Sequence, residues 1–159
     1  MICVGIRRRK TKISTGFTLI EIIVSIAIVG ILAGIAIPLY AGYIDKARNE
    51  AAIADIQAIS LKITGYYADN TNYPGSLAEV GYATYPDPWG NPYQYLNIQT
   101  AKNKGSMRKD RFLVPINSDY DLYSMGKDGK SVPPLTAKAS RDDIIRANDG
   151  AYIGPAYAY

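Results

Sequence analysis

The N-terminal part of the chain places a cluster of positive charges directly before a long apolar run. Five lysine and arginine residues lie within residues 7–12, and residues 22–37 carry no charged side chain. By the positive-inside rule, the cationic segment should stay in the cytoplasm while the apolar run enters a bilayer. A secretory signal peptide has its small-residue cleavage site after the apolar run, whereas here Gly16 lies before it. Cleavage at Gly16 would therefore leave the apolar segment on the mature chain.

Residues 16–21 read Gly-Phe-Thr-Leu-Ile-Glu and are called the N-terminal junction below. This junction resembles the processing site of the type IV pilin-like family, whose prepilins are cleaved by prepilin peptidase. The resemblance implies cleavage after Gly16, N-methylation of the new amine of Phe17, and polymerisation into a thin helical filament. The alternative is an ordinary signal anchor in which Glu21 is an incidental polar residue.

Glu21 is a carboxylate at the start of the apolar run. An ionised carboxylate in the apolar part of a bilayer is costly, so such a residue normally has a partner. In the cleaved chain, the nearest candidate cation is the free amine of Phe17, on the same subunit or on a neighbouring one. We therefore expect Glu21 and Phe17 to pair during assembly and to fix the axial register of incoming subunits.

The composition of the mature chain differs from that of the whole chain. The full sequence has 18 Lys and Arg against 14 Asp and Glu, but five of the cations lie in the predicted leader, residues 1–16, which leaves 13 against 14. No basic surface for nucleic acid is therefore predicted. The only cysteine, Cys3, lies in the same leader, so the mature chain can form no disulfide.

The chain contains no histidine. It therefore lacks the usual general base, the usual zinc ligand and any Ser-His-Asp or Cys-His arrangement. Ser60 and Ser124 have no evident activating partner, and Asp119 and Asp121 are interpreted as turn or surface residues. We expect a structural protein rather than an enzyme.

Residues 17–68 are predicted to form one long helix with two different environments. Residues 17–43 are apolar on every side and approach the roughly 20 residues that span a hydrocarbon core. Beyond them, charged residues alternate with a helix-spaced apolar stripe that can pack on a folded domain. The stripe consists of Ile53, Ile56, Ile59, Ile63 and Tyr66. The sequence therefore predicts a transmembrane and filament-core segment, residues 17–43, followed by an extracytoplasmic head, residues 44–159.

Gly30, Gly34 and Pro38 weaken the helix within its apolar half. Pro38 has no amide to donate to the Gly34 carbonyl, and the glycines add backbone freedom. The family resemblance implies that this segment stretches or unwinds in the assembled filament. A static kink at Pro38 and a helix-packing face formed by Gly30 and Gly34 are the alternatives.

The head is predicted to be a small antiparallel sheet packed on the second half of the helix, which gives an α+β, pilin-like fold. Strand-like segments cover residues 93–98, 111–116 and 120–124, a sheet of three strands or so. Residues 101–110, rich in Lys, Gly and Ser, are predicted to be a solvated connection. Ser76 is predicted to cap a short helical turn, with Glu79 as its capping-box partner.

Two segments of the head resemble one branch of the pilin-like family in particular. Residues 87–93 and 121–129 are similar to segments of the major pseudopilins of type II secretion systems. This similarity implies a homopolymeric pseudopilus anchored in the inner membrane, with the head in the periplasm. Prepilin peptidase, an inner-membrane assembly platform and minor pseudopilins are the implied partners. The alternatives are a type IV pilin of a surface filament, for adhesion, motility or DNA uptake, and a monomeric membrane-tethered binding domain.

The pseudopilin resemblance also implies a calcium ion in the loop after residues 120–124. Asp128, Asp142 and Asp143 are the candidate ligands, because carboxylates and turn carbonyls supply the oxygens that calcium prefers. The intervening residues 130–141 are longer and more basic than the corresponding loop of those pseudopilins. Alternatively, Asp142 is the N-cap of a short helix through residues 144–146.

Overall fold

The structure, a computed structural model, describes residues 16–159. The leader, with its cluster of cations and Cys3, lies outside the described residues apart from Gly16. The chain divides into two compact units, and the boundary between them falls after Ala41. The second unit, Gly42–Tyr159, contains the head.

Helix α1 spans Leu19–Asn70, close to the predicted residues 17–68. Pro38 lies inside α1, and the helix continues on both sides of it. The helix ends where Thr71 adopts a left-handed conformation with φ of 60°, at the start of the predicted turn-forming segment. Among residues 16–159, α1 is the one helix whose length and composition suffice to cross a membrane.

The part of α1 up to Ala41 exposes nearly all of its side chains. Large apolar side chains lie on every side of it, among them Ile26, Ile31 and Ile37. Exposed apolar surface of this extent is unfavourable in water, and a helix that is apolar all round belongs in an apolar environment. This part of α1 therefore needs a membrane, or the apolar sides of other helices, around it.

The second part of α1 buries one face within the head. Ala52, Ile56, Ile59 and Ile63 are fully buried, at the spacing of three and four residues that marks one helix face. The predicted stripe is confirmed for its three central isoleucines, whereas its two outer members are only half-buried. The buried face packs in one apolar cluster with residues of the sheet and its loops, including Tyr93, Tyr120, Leu122 and Ile144.

Four antiparallel strands form the sheet of the head, and each pairs with the next in chain order. The strands are β1, Gln94–Asn97, β2, Tyr120–Ser124, β3, Ile144–Ala147, and β4, Tyr152–Pro155. Strands β1 and β2 confirm two of the predicted segments. A long apolar helix joined to a small antiparallel sheet also confirms the predicted α+β, pilin-like fold.

The sheet is covered on both faces. Ile144 belongs to the cluster under α1, whereas its neighbour Ile145 belongs to a second cluster with Ile116 and Leu135. Successive side chains of a strand point to opposite faces, which explains this division. The second cluster draws on the connection between β1 and β2 and on the connection between β2 and β3. These two connections also hold the buried charges described below.

The predicted strand at residues 111–116 is wrong. Asp110 and Leu113 exchange two backbone hydrogen bonds of 3.1 and 2.7 Å, and Arg111 between them has φ of 47°. This tight turn reverses the chain within the apolar run, so the run cannot continue as a strand. Phe112 lies fully exposed at the tip of the turn.

The prediction missed both β3 and β4, so the sheet has four strands where three or so were predicted. Ile144–Ala147 is a strand rather than a helix capped by Asp142, because it pairs with a strand on each side. All four of its residues are buried. The prediction of a solvated connection at residues 101–110 is also wrong in part, since Met107 and Arg108 are buried.

The predicted short helical turn exists as the 3-10 helix Leu77–Val80, but its predicted capping box does not form. The side chain of Ser76 makes no capping hydrogen bond. Glu79 instead accepts a hydrogen bond from the amide of Gly75, at 2.9 Å, and another from the hydroxyl of Tyr66, at 2.6 Å. Glu79 therefore ties this turn to α1.

Candidate functional site

The N-terminal junction contains a capping box that starts helix α1. The amide and the hydroxyl of Thr18 donate hydrogen bonds to Glu21 Oε2, at 2.8 and 2.7 Å. In return, the amide of Glu21 lies 3.3 Å from Thr18 Oγ1. Thr18 precedes the first helical residue, and Glu21 lies three positions later, which is the spacing of a capping box. The sequence carries this Thr-x-x-Glu signal, although the capping box was not among the predicted features.

The capping box holds the Glu21 carboxylate beside the start of α1, next to Phe17. In the uncut chain, the nitrogen of Phe17 is an amide rather than an amine, so the predicted pairing of the Phe17 amine with Glu21 stays a prediction. Phe17 and Gly16 lie outside the helix and are exposed. The bond between them therefore lies outside the helix and is accessible.

Gly30, Gly34 and Pro38 all lie within the continuous helix α1. A Cβ atom added to Gly30 or Gly34 would meet no atom within 4 Å. Packing among the described residues therefore does not require glycine at either position. Of the three interpretations of this segment, stretching in the filament and a helix-packing face place its role in the assembled state, whereas a static kink at Pro38 does not.

The segment at residues 87–93 is organised by a buried aspartate. Asp87 Oδ1 accepts hydrogen bonds from the amides of Trp89 and Asn91, at 3.0 and 2.8 Å. Asp87 Oδ2 accepts a hydrogen bond from the hydroxyl of Ser124 at the end of β2. The segment is therefore fastened to the sheet, and Ser124 acts as a structural donor.

The predicted turn or surface role of Asp119 and Asp121 is wrong, because both carboxylates serve the interior of the head. Asp121 is buried and accepts hydrogen bonds from the Arg108 amide, at 2.7 Å, and from Asn117 Nδ2, at 2.9 Å. Asp119 forms a bidentate ion pair with buried Arg146, at 2.8 and 2.6 Å. The Arg146 guanidinium also lies 4.0 Å from the ring centre of Tyr120.

Asp128 and Asp142, two of the predicted calcium ligands, contact each other through the backbone. Asp142 Oδ2 accepts a hydrogen bond of 3.0 Å from the amide of Asp128, and Asp128 Oδ1 accepts one of 2.8 Å from the amide of Lys130. Gly126 lies against Asp142 at φ of 65°, where an added Cβ atom would stand 2.3 Å from the Asp142 carbonyl oxygen. These carboxylates therefore shape the loop that follows β2.

Asp143, the third predicted calcium ligand, is fully buried and contacts a cation of the protein itself. Its Oδ2 atom accepts hydrogen bonds from Arg108 Nη2 and from the hydroxyl of Ser131. Within residues 16–159, no group of three or more acidic, histidine or cysteine side chains is arranged to hold a metal ion. The residues present therefore do not fit a calcium ion shared by Asp128, Asp142 and Asp143. Arg108, the cation that pairs with Asp143, was not among the predicted site residues, because it was predicted to lie in a solvated connection.

The N-terminal junction matches a known family model. Residues 12–37 match the model of the prokaryotic N-terminal methylation motif. This match covers the junction and the apolar run that follows it.

Comparisons with curated proteins cover most of the chain. The type II secretion system core protein G of Pseudomonas aeruginosa is 36% identical over 137 residues, which cover 73% of this chain and 85% of that protein. Core protein G of Vibrio cholerae is 32% identical, covering 77% of this chain and 86% of that protein. A fimbrial protein of Neisseria meningitidis is 30% identical, covering 83% of this chain and 82% of that protein. No solved structure matches the chain.

The apolar part of α1 and the relatives agree on a membrane-anchored protein of pilin-like architecture. The methylation motif lies where the sequence analysis placed the N-terminal junction. Because this chain is 36% identical to core protein G of Pseudomonas aeruginosa and covers 85% of that protein, it belongs to the type II secretion system core protein G family.

Proposed function

We propose that this chain is a structural subunit that polymerises into an inner-membrane-anchored pseudopilus and thereby drives type II protein secretion. The observation that carries the proposal is the apolar part of α1, exposed on all sides up to Ala41 and preceded by the N-terminal junction. Such a helix is stable in a membrane and can equally be covered by copies of itself in a filament core. Kinship with core protein G supports the secretion filament over other assemblies.

Processing by prepilin peptidase is the first step of the proposed function. The enzyme cuts after Gly16 and methylates the new amine of Phe17. The capping box supports this step, because it starts α1 at Leu19 and leaves the scissile bond outside the helix. The leader, which holds five cations of the chain, is lost at the same time.

Assembly is the second step, and Glu21 has a role in it besides capping. A carboxylate has about four lone-pair sites, so Glu21 can accept hydrogen bonds from Thr18 and from a Phe17 amine together. Pairing with the Phe17 amine of a neighbouring subunit would neutralise both charges in an apolar surrounding. Only one axial position of the incoming subunit satisfies this pair, so the pair sets the register.

Secretion follows from the addition of subunits at the inner membrane. The apolar parts of α1 pack together in the filament core, and the heads face the periplasm. Growth of the filament pushes substrate toward the outer-membrane pore, with the assembly platform and minor pseudopilins as partners. The proposed role is mechanical and structural rather than enzymatic.

A surface filament of the type IV pilin kind is the second candidate function. The fimbrial relative supports it, because that protein is 30% identical and is matched over 82% of its length. Both candidates require cleavage after Gly16 and polymerisation, and they differ in where the filament ends. A secretion filament stays in the periplasm and exports substrate, whereas a surface filament is seen outside the cell.

Three measurements test the proposal in the native host. Mass spectrometry of the membrane-extracted chain should find methylated Phe17 at the N-terminus, and electron microscopy after overexpression should find filaments. Deletion of the gene should abolish export of type II substrates and leave surface filaments in place. A chain that retains Met1 and stays monomeric would contradict both candidates, whereas normal export with loss of surface filaments would favour the second.

A further inference from the structure

We propose that the guanidinium of Arg108 takes the place of the calcium ion that the family resemblance implies, so that the head of this chain folds without calcium. Arg108 and its contacts with Ser131, Val132 and Asp143 are called the Arg108 clamp. The clamp concerns the folded head of either filament type. Its consequence for filament growth, which is assembly that needs no calcium, rests on the proposed function.

The Arg108 clamp joins an inner part of the connection between β2 and β3 to the last residue of that connection. Arg108 Nη1 donates hydrogen bonds to the hydroxyl of Ser131, at 2.6 Å, and to the carbonyl of Val132, at 2.7 Å. Arg108 Nη2 donates to Asp143, which directly precedes β3. One side chain thus fastens the early part of this connection to its last residue, which is the closure that the predicted calcium ion would provide.

Burial makes this contact specific. Arg108 is 2% exposed and Asp143 is 0% exposed, and the guanidinium lies 4.2 Å from the ring centre of Tyr123. A buried ion needs an opposite charge and hydrogen bonds to its remaining polar atoms. Arg108 supplies the opposite charge, and Arg108 and Ser131 both donate hydrogen bonds to Asp143 Oδ2, so the charge is compensated at that oxygen. A divalent cation at the same carboxylate would be repelled by the guanidinium beside it.

The backbone holds Arg108 in position. The Arg108 amide donates to Asp121, at 2.7 Å, and the Arg108 carbonyl accepts a hydrogen bond from the amide of Ile116, at 3.1 Å. The next residue, Lys109, exchanges backbone hydrogen bonds with Pro133 and Leu135, at 3.1 and 2.9 Å. The connection between β1 and β2 is therefore hydrogen-bonded to the connection between β2 and β3. These backbone hydrogen bonds fix the position from which the guanidinium extends.

The charges around the clamp also disfavour a divalent cation. Residues 127–143 carry four cations, Lys127, Lys130, Lys138 and Arg141, against three carboxylates, Asp128, Asp142 and Asp143, a net charge of +1. The Asp142 carboxylate already accepts a hydrogen bond from the Asp128 amide. Two buried atoms of the clamp lack a hydrogen-bond partner within the described residues, Asp143 Oδ1 and Arg108 Nε. These two atoms do not bond to each other, and the ion pair is joined through Arg108 Nη2 and Asp143 Oδ2 alone.

Thermal unfolding of the full-length chain in detergent micelles tests the proposal. The melting temperature of the unsubstituted protein should be the same in excess EGTA and in millimolar calcium chloride. Arg108→Gln should lower it by about 10 °C or more in both solutions, because one partner of a buried ion pair is removed. Arg108→Lys should restore only part of the loss, since one ammonium cannot satisfy three acceptors in a fork. Arg111→Gln, at an exposed arginine three residues away, is the matched control and should change little.

Asp143→Asn separates the two explanations most sharply. If the clamp holds, this substitution destabilises the head in EGTA as much as in calcium. If Asp143 were a calcium ligand instead, the protein in EGTA would already lack its ion, and the substitution would cost little there. A drop in the melting temperature of the unsubstituted protein on adding EGTA, reversed by calcium, would overturn the proposal even if the variants fail to fold. Absence of filaments under every condition would contradict the proposed function and leave these melting comparisons valid.

Discussion

Glu21 Oε2 accepts hydrogen bonds from both the amide and the hydroxyl of Thr18, so the carboxylate predicted to pair between subunits also starts the helix within its own chain. The two roles make different demands on the side chain. Capping needs an acceptor, whereas pairing with the Phe17 amine needs a negative charge. A substitution that removes one property and keeps the other distinguishes them.

Glu21→Gln should abolish filament formation almost as fully as Glu21→Ala. Gln serves in a capping box as Glu does, but it cannot neutralise an amine. Thr18→Ala should keep most of the filament yield, because loss of the cap costs the helix only about 1 kcal/mol. Filament yield by electron microscopy and membrane insertion by fractionation are the readouts, with the exposed Glu50→Ala on the same helix as control. Normal filaments from Glu21→Gln would show that Glu21 acts through the cap alone.

Gly34→Ala should stabilise helix α1 and reduce assembly. The added Cβ atom meets no atom within 4 Å, so only the helix propensity changes, by about 1 kcal/mol in favour of the helix. If residues 30–38 must stretch in the filament, a stiffer helix lowers the filament yield. Gly65→Ala, an equally open position of α1 within the head, is the control and should assemble normally. Equal yields from the two variants would favour a static helix.

The buried ion pair between Arg146 and Asp119 should matter far more to stability than the exposed pair between Lys127 and Asp45. Arg146→Met leaves the Asp119 carboxylate without its partner and should lower the free energy of unfolding by about 3–5 kcal/mol. Lys127→Met breaks a pair whose side chains are 61% and 43% exposed, and should cost at most about 1 kcal/mol. Denaturant unfolding of the two variants measures the difference. Similar losses would show that burial does not determine how much each ion pair contributes to the free energy of unfolding.

The free energy of unfolding should fall once the pH rises above about 10. Burial, and then the hydrogen bond to Asp55, raise the pKa of Tyr93 well above its usual range, and burial raises the pKa of Tyr95 in the same way. Above the ordinary tyrosine pKa the unfolded chain loses these protons while the native head keeps them, so stability decreases with pH. Below that pH their contribution is fully present.

Tyr93→Phe should flatten this alkaline decline. The substitution removes the hydrogen bond of 2.9 Å from Tyr93 to Asp55 and costs about 1 kcal/mol at neutral pH. It also removes one of the groups that resists ionisation in the native head. Urea unfolding at several pH values between neutral and strongly alkaline gives the slope, with the exposed Tyr157→Phe as control. An unchanged slope in Tyr93→Phe would mean that Tyr93 ionises equally in both states.

Local patterns in the sequence were sufficient for the elements that depend on neighbours along the chain. The spacing of Ile56, Ile59 and Ile63 identified the buried face of α1, and residues 120–124 were recognised as a strand. The same approach failed at residues 111–116, where an apolar run is reversed by a turn whose conformation the composition does not reveal. It also failed at β3, which is a strand because two other strands pair with it.

By itself, the sequence determined the N-terminal junction, the uncharged run after it, the long helix and the family, because each is read from residues that are close together in the chain. Only the tertiary structure decided where the buried charges lie. Arg108 and Asp143 are 35 residues apart, and the sequence predicted Arg108 in a solvated connection and Asp143 as a calcium ligand. Their ion pair exists because two connections are hydrogen-bonded to each other over one face of the sheet, where burial makes each charge depend on the other.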